Sequence, residues 1–143
     1  MEKVVFAINI ENGWPPVSAE GVWCERVDGN YRVVNAPFFV EGLAFGDIFS
    51  AVPDPVNDQI FQFEVIEESG NSVVWLLNND RLDISIFIEE LTSLNCRIEG
   101  FPQFSLYSID VPSTIDLPAF DRLVAHWEVT GLHFAYPTWR IKE

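Results

Sequence analysis

The chain has 143 residues with 22 acidic against 8 basic side chains, a formal net charge of −14. Hydrophobic residues make up 48% and aromatics 14%, which excludes a disordered chain and provides a core that needs no metal or disulfide. No run approaches the roughly 18 apolar residues of a membrane span, and the charge balance argues against nucleic acid and anionic membrane as partners.

The first half reads as β structure. Lys3 to Asn9 alternates as a strand and ends at Asn12-Gly13 and Pro15-Pro16. The short, quickly polar start does not resemble a signal peptide, and a cytoplasmic location is expected. Glu20 to Val27 and Tyr31 to Asn35 flank Asp28-Gly29, a hairpin signal because that turn wants positive φ. Pro37 breaks the second strand, and Gly42 and Gly46 frame a tight loop. Asp47 to Val52 is the next strand, ended by Pro53 and Pro55. Gln59 to Glu67 alternates, with Phe61, Phe63 and Val65 on one face and Gln62 and Glu64 on the other. Ser69-Gly70-Asn71 then turns the chain into Ser72 to Leu77. Short strands at this spacing predict a small, strongly curved barrel or meander, read here as an antiparallel β-barrel-like lobe over residues 1–71.

The second half changes period. Ile84, Phe87, Ile88, Leu91 and Leu94 follow helical spacing, with Asp83 as the expected N-cap. Cys96 to Glu99 and Phe104 to Asp110 read as strands around Gly100-Phe101-Pro102. Asp116 is an N-cap, Pro118 suits a first turn, and Phe120, Leu123, Val124 and Trp127 form the next apolar face. Gly131 stops that helix, and Leu132 to Tyr136 is a last strand. With Ser72 to Leu77 the order is βαββαβ, the ferredoxin-like order, over residues 72–143. The expected fold class is therefore α+β, a barrel-like lobe packed on a ferredoxin-like lobe. No Gly-, Ser- or Pro-rich linker separates the two, so they are expected to pack as one compact unit.

Catalytic motifs are not evident. His126 and His133 stand beside no Ser or Cys in a nucleophile pattern, and with Glu128 they make no known ligand spacing. Both read as structural. Cys24 and Cys96 form no CxxC pair and read as buried free thiols. Glu67-Glu68 are neighbours whose side chains diverge, so they read as solvated charge rather than an acid–base pair. Asp54-Pro-Val-Asn-Asp58 lacks the Gly and distal Glu of a calcium loop. Gly42 and Gly46 lack the Lys-Ser/Thr of a phosphate loop. No metal and no cofactor is expected.

Charge distribution is the stronger signal. Between Arg32 and Arg81 no Lys or Arg occurs, while eight carboxylates do: Glu41, Asp47, Asp54, Asp58, Glu64, Glu67, Glu68 and Asp80. A folded one-signed surface attracts cationic partners. Asp47, Asp54, Asp58, Glu64, Glu67 and Glu68 are the candidate acidic binding residues. Trp14-Pro15-Pro16 and Pro37-Phe38-Phe39 place aromatic bulk beside proline in loops. Trp14, Phe38 and Phe39 are accordingly candidate anchors, although plugging the ends of the barrel is the preferred role for them.

The same residues carry a resemblance. Trp14-Pro15-Pro16-Val17, Glu20, Trp23, Asn35-Ala36-Pro37-Phe38-Phe39 and Gly42-Leu43-Ala44-Phe45-Gly46-Asp47 resemble a bacterial family, the domain of unknown function numbered 4265. Ser69-Gly70-Asn71-Ser72 and Leu94-Asn95-Cys96 are similar to it as well. That family pattern often has His after the Ser-Gly pair, where Asn71 stands here. The resemblance implies a small soluble bacterial protein and implies no catalytic residues.

The first expectation is a non-enzymatic acidic protein of the immunity or antitoxin type, an inhibitor that blocks a basic toxin or effector enzyme. Such enzymes have basic clefts to which an acidic inhibitor is steered. The alternative is a small-molecule regulatory module with a ligand between the lobes, favoured by a deep apolar pocket near Trp14, Phe38 and Phe39. A third, an enzyme using isolated carboxylates, would need two acids facing one cleft.

Overall fold

The computed structural model describes residues 1–142. The chain is α+β, with two antiparallel sheets and two α-helices among the described residues. It divides into two compact units, Met1–Ser69 and Gly70–Glu143.

The first unit is a five-stranded meander: β1 (Glu2–Ala7), β2 (Ala19–Val27), β3 (Asn30–Val33), β4 (Ile48–Ala51) and β5 (Phe63–Glu67), in that order across the sheet. Asp28 and Gly29 both adopt positive φ, 49° and 83°, as a two-residue hairpin turn requires. The core is aromatic. Phe6 lies 5.5 Å from Phe49, Tyr31 stacks on Phe49 at 5.2 Å, and Phe63 meets both Phe6 and Phe49 edge-on. Val4, Val22, Cys24, Val33, Leu43 and Ile60 complete it.

This sheet does not close into the expected barrel. β1 and β5 share no ladder. Instead Ile60, ahead of β5, bridges to Phe6 on β1, with Ala7 N–H donating to Ile60 O and Ile60 N–H to Val5 O, both at 2.8 Å. The reason lies in residues 53–62. Pro53 and Pro55 cannot extend a ladder, so β5 begins at Phe63 rather than at Gln59. Phe61, expected to face inward with Phe63 and Val65, is consequently 61% exposed.

In the second unit β6 (Ser72–Leu77), α1 (Ser85–Ser93), β7 (Arg97–Phe101), β8 (Leu106–Val111), α2 (Leu117–Thr130) and β9 (His133–Thr138) follow in chain order. The sheet runs β7-β8-β6-β9, all antiparallel. A single 3-10 turn, Pro102–Phe104, separates β7 from β8. One sheet face supplies Val74, Leu76, Ile109 and Val111 to a core shared with Phe87 and Leu91 of α1 and Phe120, Leu123, Val124 and Trp127 of α2. The two helices are tied by Trp127 Nε1, which donates to Glu90 Oε1 at 3.1 Å.

Asp116 caps α2 by accepting from Ala119 N–H at 3.2 Å. Asp83 does not cap α1. The N-cap position is Ile84, and Asp83 Oδ1 instead accepts from the Ser85 N–H and hydroxyl at 2.9 and 2.6 Å. That local turn delays the helix by one residue. Neither helix is long and apolar enough to cross a membrane.

Candidate functional site

The acidic flank of the first unit forms where β4 meets β5. Ser50 opposes Glu64 and Ala51 opposes Phe63. Beyond those pairs the strands diverge, because Pro53 and Pro55 end the ladder on one side. A groove of about 540 Å³ opens between them, with Val52, Asp54, Phe61 and Glu64 among its walls. Glu64, Glu67 and Glu68 are exposed on β5 and just after it. Val52, Val56, Phe61 and Ile66 are exposed hydrophobics of the same segments.

The loop from Asp54 to Gln59 is braced from within. Asp54 N–H donates to Gln59 O at 2.9 Å, and Asp58 N–H donates to Asp54 O at 2.8 Å. Asp54 Oδ1 accepts from Val56 N–H at 2.8 Å, and Asn57 Oδ1 accepts from Gln59 N–H at 2.9 Å. Asp58 is exposed at φ 59°.

The bases of this unit lie elsewhere. They are Lys3, Arg26 and Arg32, all on β1 to β3. Arg26 pairs with Glu2 and sits over the Tyr31 ring, Arg32 pairs with Glu25, and Lys3 lies over Trp23. The segments from β4 to the end of the unit carry no base.

Asp47 does not belong to the acidic surface. It is 0% exposed, its Oδ2 accepting from Ala44 N–H at 2.8 Å and its Oδ1 from Ser69 N–H at 2.9 Å. Ser69 Oγ returns a bond to Phe45 O at 2.7 Å. Asp47 is thus the brace that holds the Leu43–Gly46 turn to the end of the unit, and its burial follows from having backbone donors on both oxygens.

The aromatic loops divide in the same way. Phe39 is buried and Phe38 is half-buried, so neither is a free anchor, whereas Trp14 is 43% exposed with its ring edge-on to Phe39 at 5.9 Å. What fixes the Phe38–Phe39 loop is Glu20, a residue that sequence reasoning noticed only as a strand start and as part of the family resemblance. Its carboxylate is buried and accepts from the N–H groups of Phe38, Phe39 and Val40 at 2.6, 2.8 and 3.1 Å. A Glu on the inward-facing phase of β2, opposite Phe6, is the signal that could have marked it.

In the second unit a further buried acid emerges. Asp110 on β8 lies opposite Arg97 of β7 and Val73 of β6. Burial pushes its carboxyl up to about 6. Arg97 and a hydrogen bond from Asn71 Nδ2 at 3.2 Å oppose that rise, while Glu99 adds to it. Asn71 Oδ1 accepts from Ser113 N–H at 3.1 Å, and Ser72 Oγ accepts from Arg140 N–H at 2.8 Å. This network pins the turn entering β6 to the chain after β8 and β9.

Cys24 and Cys96 are free, and burial raises each thiol to about 12. His126 and His133 are exposed, one on α2 and the other opening β9. Among the described residues, no group of three or more His, Cys, Asp or Glu is placed to hold a metal ion.

Residues 20–134 match the family described as domain of unknown function DUF4265, and the chain belongs to that family. No curated protein matches the chain. In three dimensions the chain is similar to the crystal structure of a hypothetical protein from Neisseria gonorrhoeae. The two are 16% identical with a TM-score of 0.76 over 99% of each chain, a likeness that shows the fold.

Proposed function

We propose that this member of the DUF4265 family is a non-enzymatic interaction protein of the immunity or antitoxin type, which binds and blocks a basic toxin or effector enzyme. One observation carries the reading. The β4–β5 flank gathers Asp54, Asp58, Glu64, Glu67 and Glu68 around exposed apolar side chains, while every base of that unit stands on β1 to β3. Apolar surface supplies contact energy, and one-signed charge around it speeds encounter with an opposite surface and rejects like-charged partners. Asp47 and Phe39 serve this reading as buried parts of the scaffold, Phe38 as a half-buried one, and Trp14 as an exposed side chain packed on Phe39.

In the same reading the second unit is a ferredoxin-like lobe, supported by its βαββαβ order and its β7-β8-β6-β9 sheet, and the first is an opened barrel-like lobe. The complex acts in the cytoplasm, in keeping with two free cysteines. The experiment is capture of the partner at low salt from native cells, followed by association kinetics with the purified partner. Replacing Asp54, Asp58, Glu64, Glu67 and Glu68 by their amides should slow association by about tenfold or more, and added salt should slow the parent protein similarly. An unchanged rate in the variant would remove the flank as the interface.

A further inference from the structure

The groove at the flank has a composition that selects one kind of side chain. Phe61 presents a ring that is 61% exposed, and Val52, at 87%, lines the same groove. Asp54 and Glu64 line the same groove, and no Lys, Arg or His does. The Asp54–Gln59 hydrogen bonds and the two flanking prolines hold one wall in place, so little ordering is needed on binding. The volume of about 540 Å³ falls within the roughly 300 to 1,000 Å³ of ligand sites.

An ammonium is a compact, strongly hydrated charge with no plane to lay on a ring, so an aromatic wall favours it less than a guanidinium. A guanidinium is planar and weakly hydrated, stacks on a ring face and gives paired hydrogen bonds to carboxylates. We infer that this groove is the docking point for an arginine side chain of the basic partner, with Phe61 as the stacking surface and Asp54 and Glu64 as the acceptors. The inference rests on the interaction reading above and names the residue that reading leaves open.

The test uses the full chain labelled with nitrogen-15, titrated with acetyl-Gly-Arg-Gly amide and, separately, acetyl-Gly-Lys-Gly amide. The arginine peptide should shift amides of residues 50–55 and 61–64, and bind at least about threefold more tightly than the lysine peptide. Phe61→Ala should remove that preference, and Glu64→Gln should weaken the arginine peptide further. Both side chains are exposed, and an unchanged amide spectrum elsewhere verifies the fold of each variant. Equal binding of the two peptides, shifts spread over Glu67 and Glu68 without the groove, or indifference to Phe61→Ala would overturn the inference. The two readings can fail separately. A captured partner whose association is slowed by Glu67→Gln and Glu68→Gln but not by Phe61→Ala would keep the acidic interface and discard the groove.

Discussion

Each unit buries a carboxylate beside a turn, and the two are buried on different terms. Glu20 in the first unit receives three backbone N–H groups from consecutive residues, Phe38 to Val40. Asp110 in the second receives a side-chain amide from Asn71, faces Arg97, and is still pushed up to about 6. Fixed backbone donors make a buried acid part of the architecture. A buried acid that leans on a neighbouring side chain and a partly solvated cation remains a titrating group. Glu20 should therefore be costly to remove, and Asp110 should be costly to keep charged.

The largest effect should come from Glu20→Ala. It strands three donors at once, two of them on buried residues, at roughly 1 kcal/mol or more each, so roughly 3 kcal/mol of stability should be lost. Urea unfolding checks this. A Glu20→Gln control, which retains one acceptor oxygen, should lose less. Equal stability in parent and Glu20→Ala would erase the contrast with Asp110. Asp47→Ala comes next, with two donors released, those of buried Ala44 and half-buried Ser69, and up to roughly 2 kcal/mol lost in the same assay.

Asp110→Asn should act in the opposite direction, with a pH signature. The folded pKa is raised from 3.8 to about 6, so the folded state binds the proton first as pH falls. This group's contribution is then most favourable below pH 4 and is lost as pH rises through 6. The asparagine variant should match the parent at low pH and exceed it at neutral pH by up to about 3 kcal/mol, about 1.4 kcal/mol for each pH unit between the two values, flattening the slope between those limits. A variant less stable at pH 7 than the parent would show that the Arg97 pairing outweighs burial.

These contrasts bear on what could be read from the residues alone. The Asp28-Gly29 hairpin, both helices and the βαββαβ order were legible because periodicity and turn chemistry are local. Barrel closure was not, since it depends on where Pro53 and Pro55 let the chain rejoin the sheet, which shifted β5 to Phe63 and left Phe61 outside. The one-signed run of acids was visible, but membership in the surface was not. Asp47 looks like Asp54 in sequence, and only the turn geometry that aims Ala44 and Ser69 N–H groups at it makes it internal. The same applies to Glu20, whose donors lie 18 to 20 positions along the chain.

The smallest stability effect should belong to the exposed acids at the end of β5. Glu67→Gln with Glu68→Gln alters exposed side chains at the end of β5. Replacing them should move stability by no more than about 0.5 kcal/mol. A modest gain is the expected direction, because a chain with formal net charge −14 repels itself and two charges fewer relieve it. Added salt should shrink the difference between variant and parent, since exposed charges are screened over roughly 10 Å at 0.1 M. Thermal melts at low and high salt measure both points. A loss of 2 kcal/mol or more would place these acids with Glu20 and Asp47 as braces, and the β4–β5 flank would then be a structural feature rather than a surface held open for a partner.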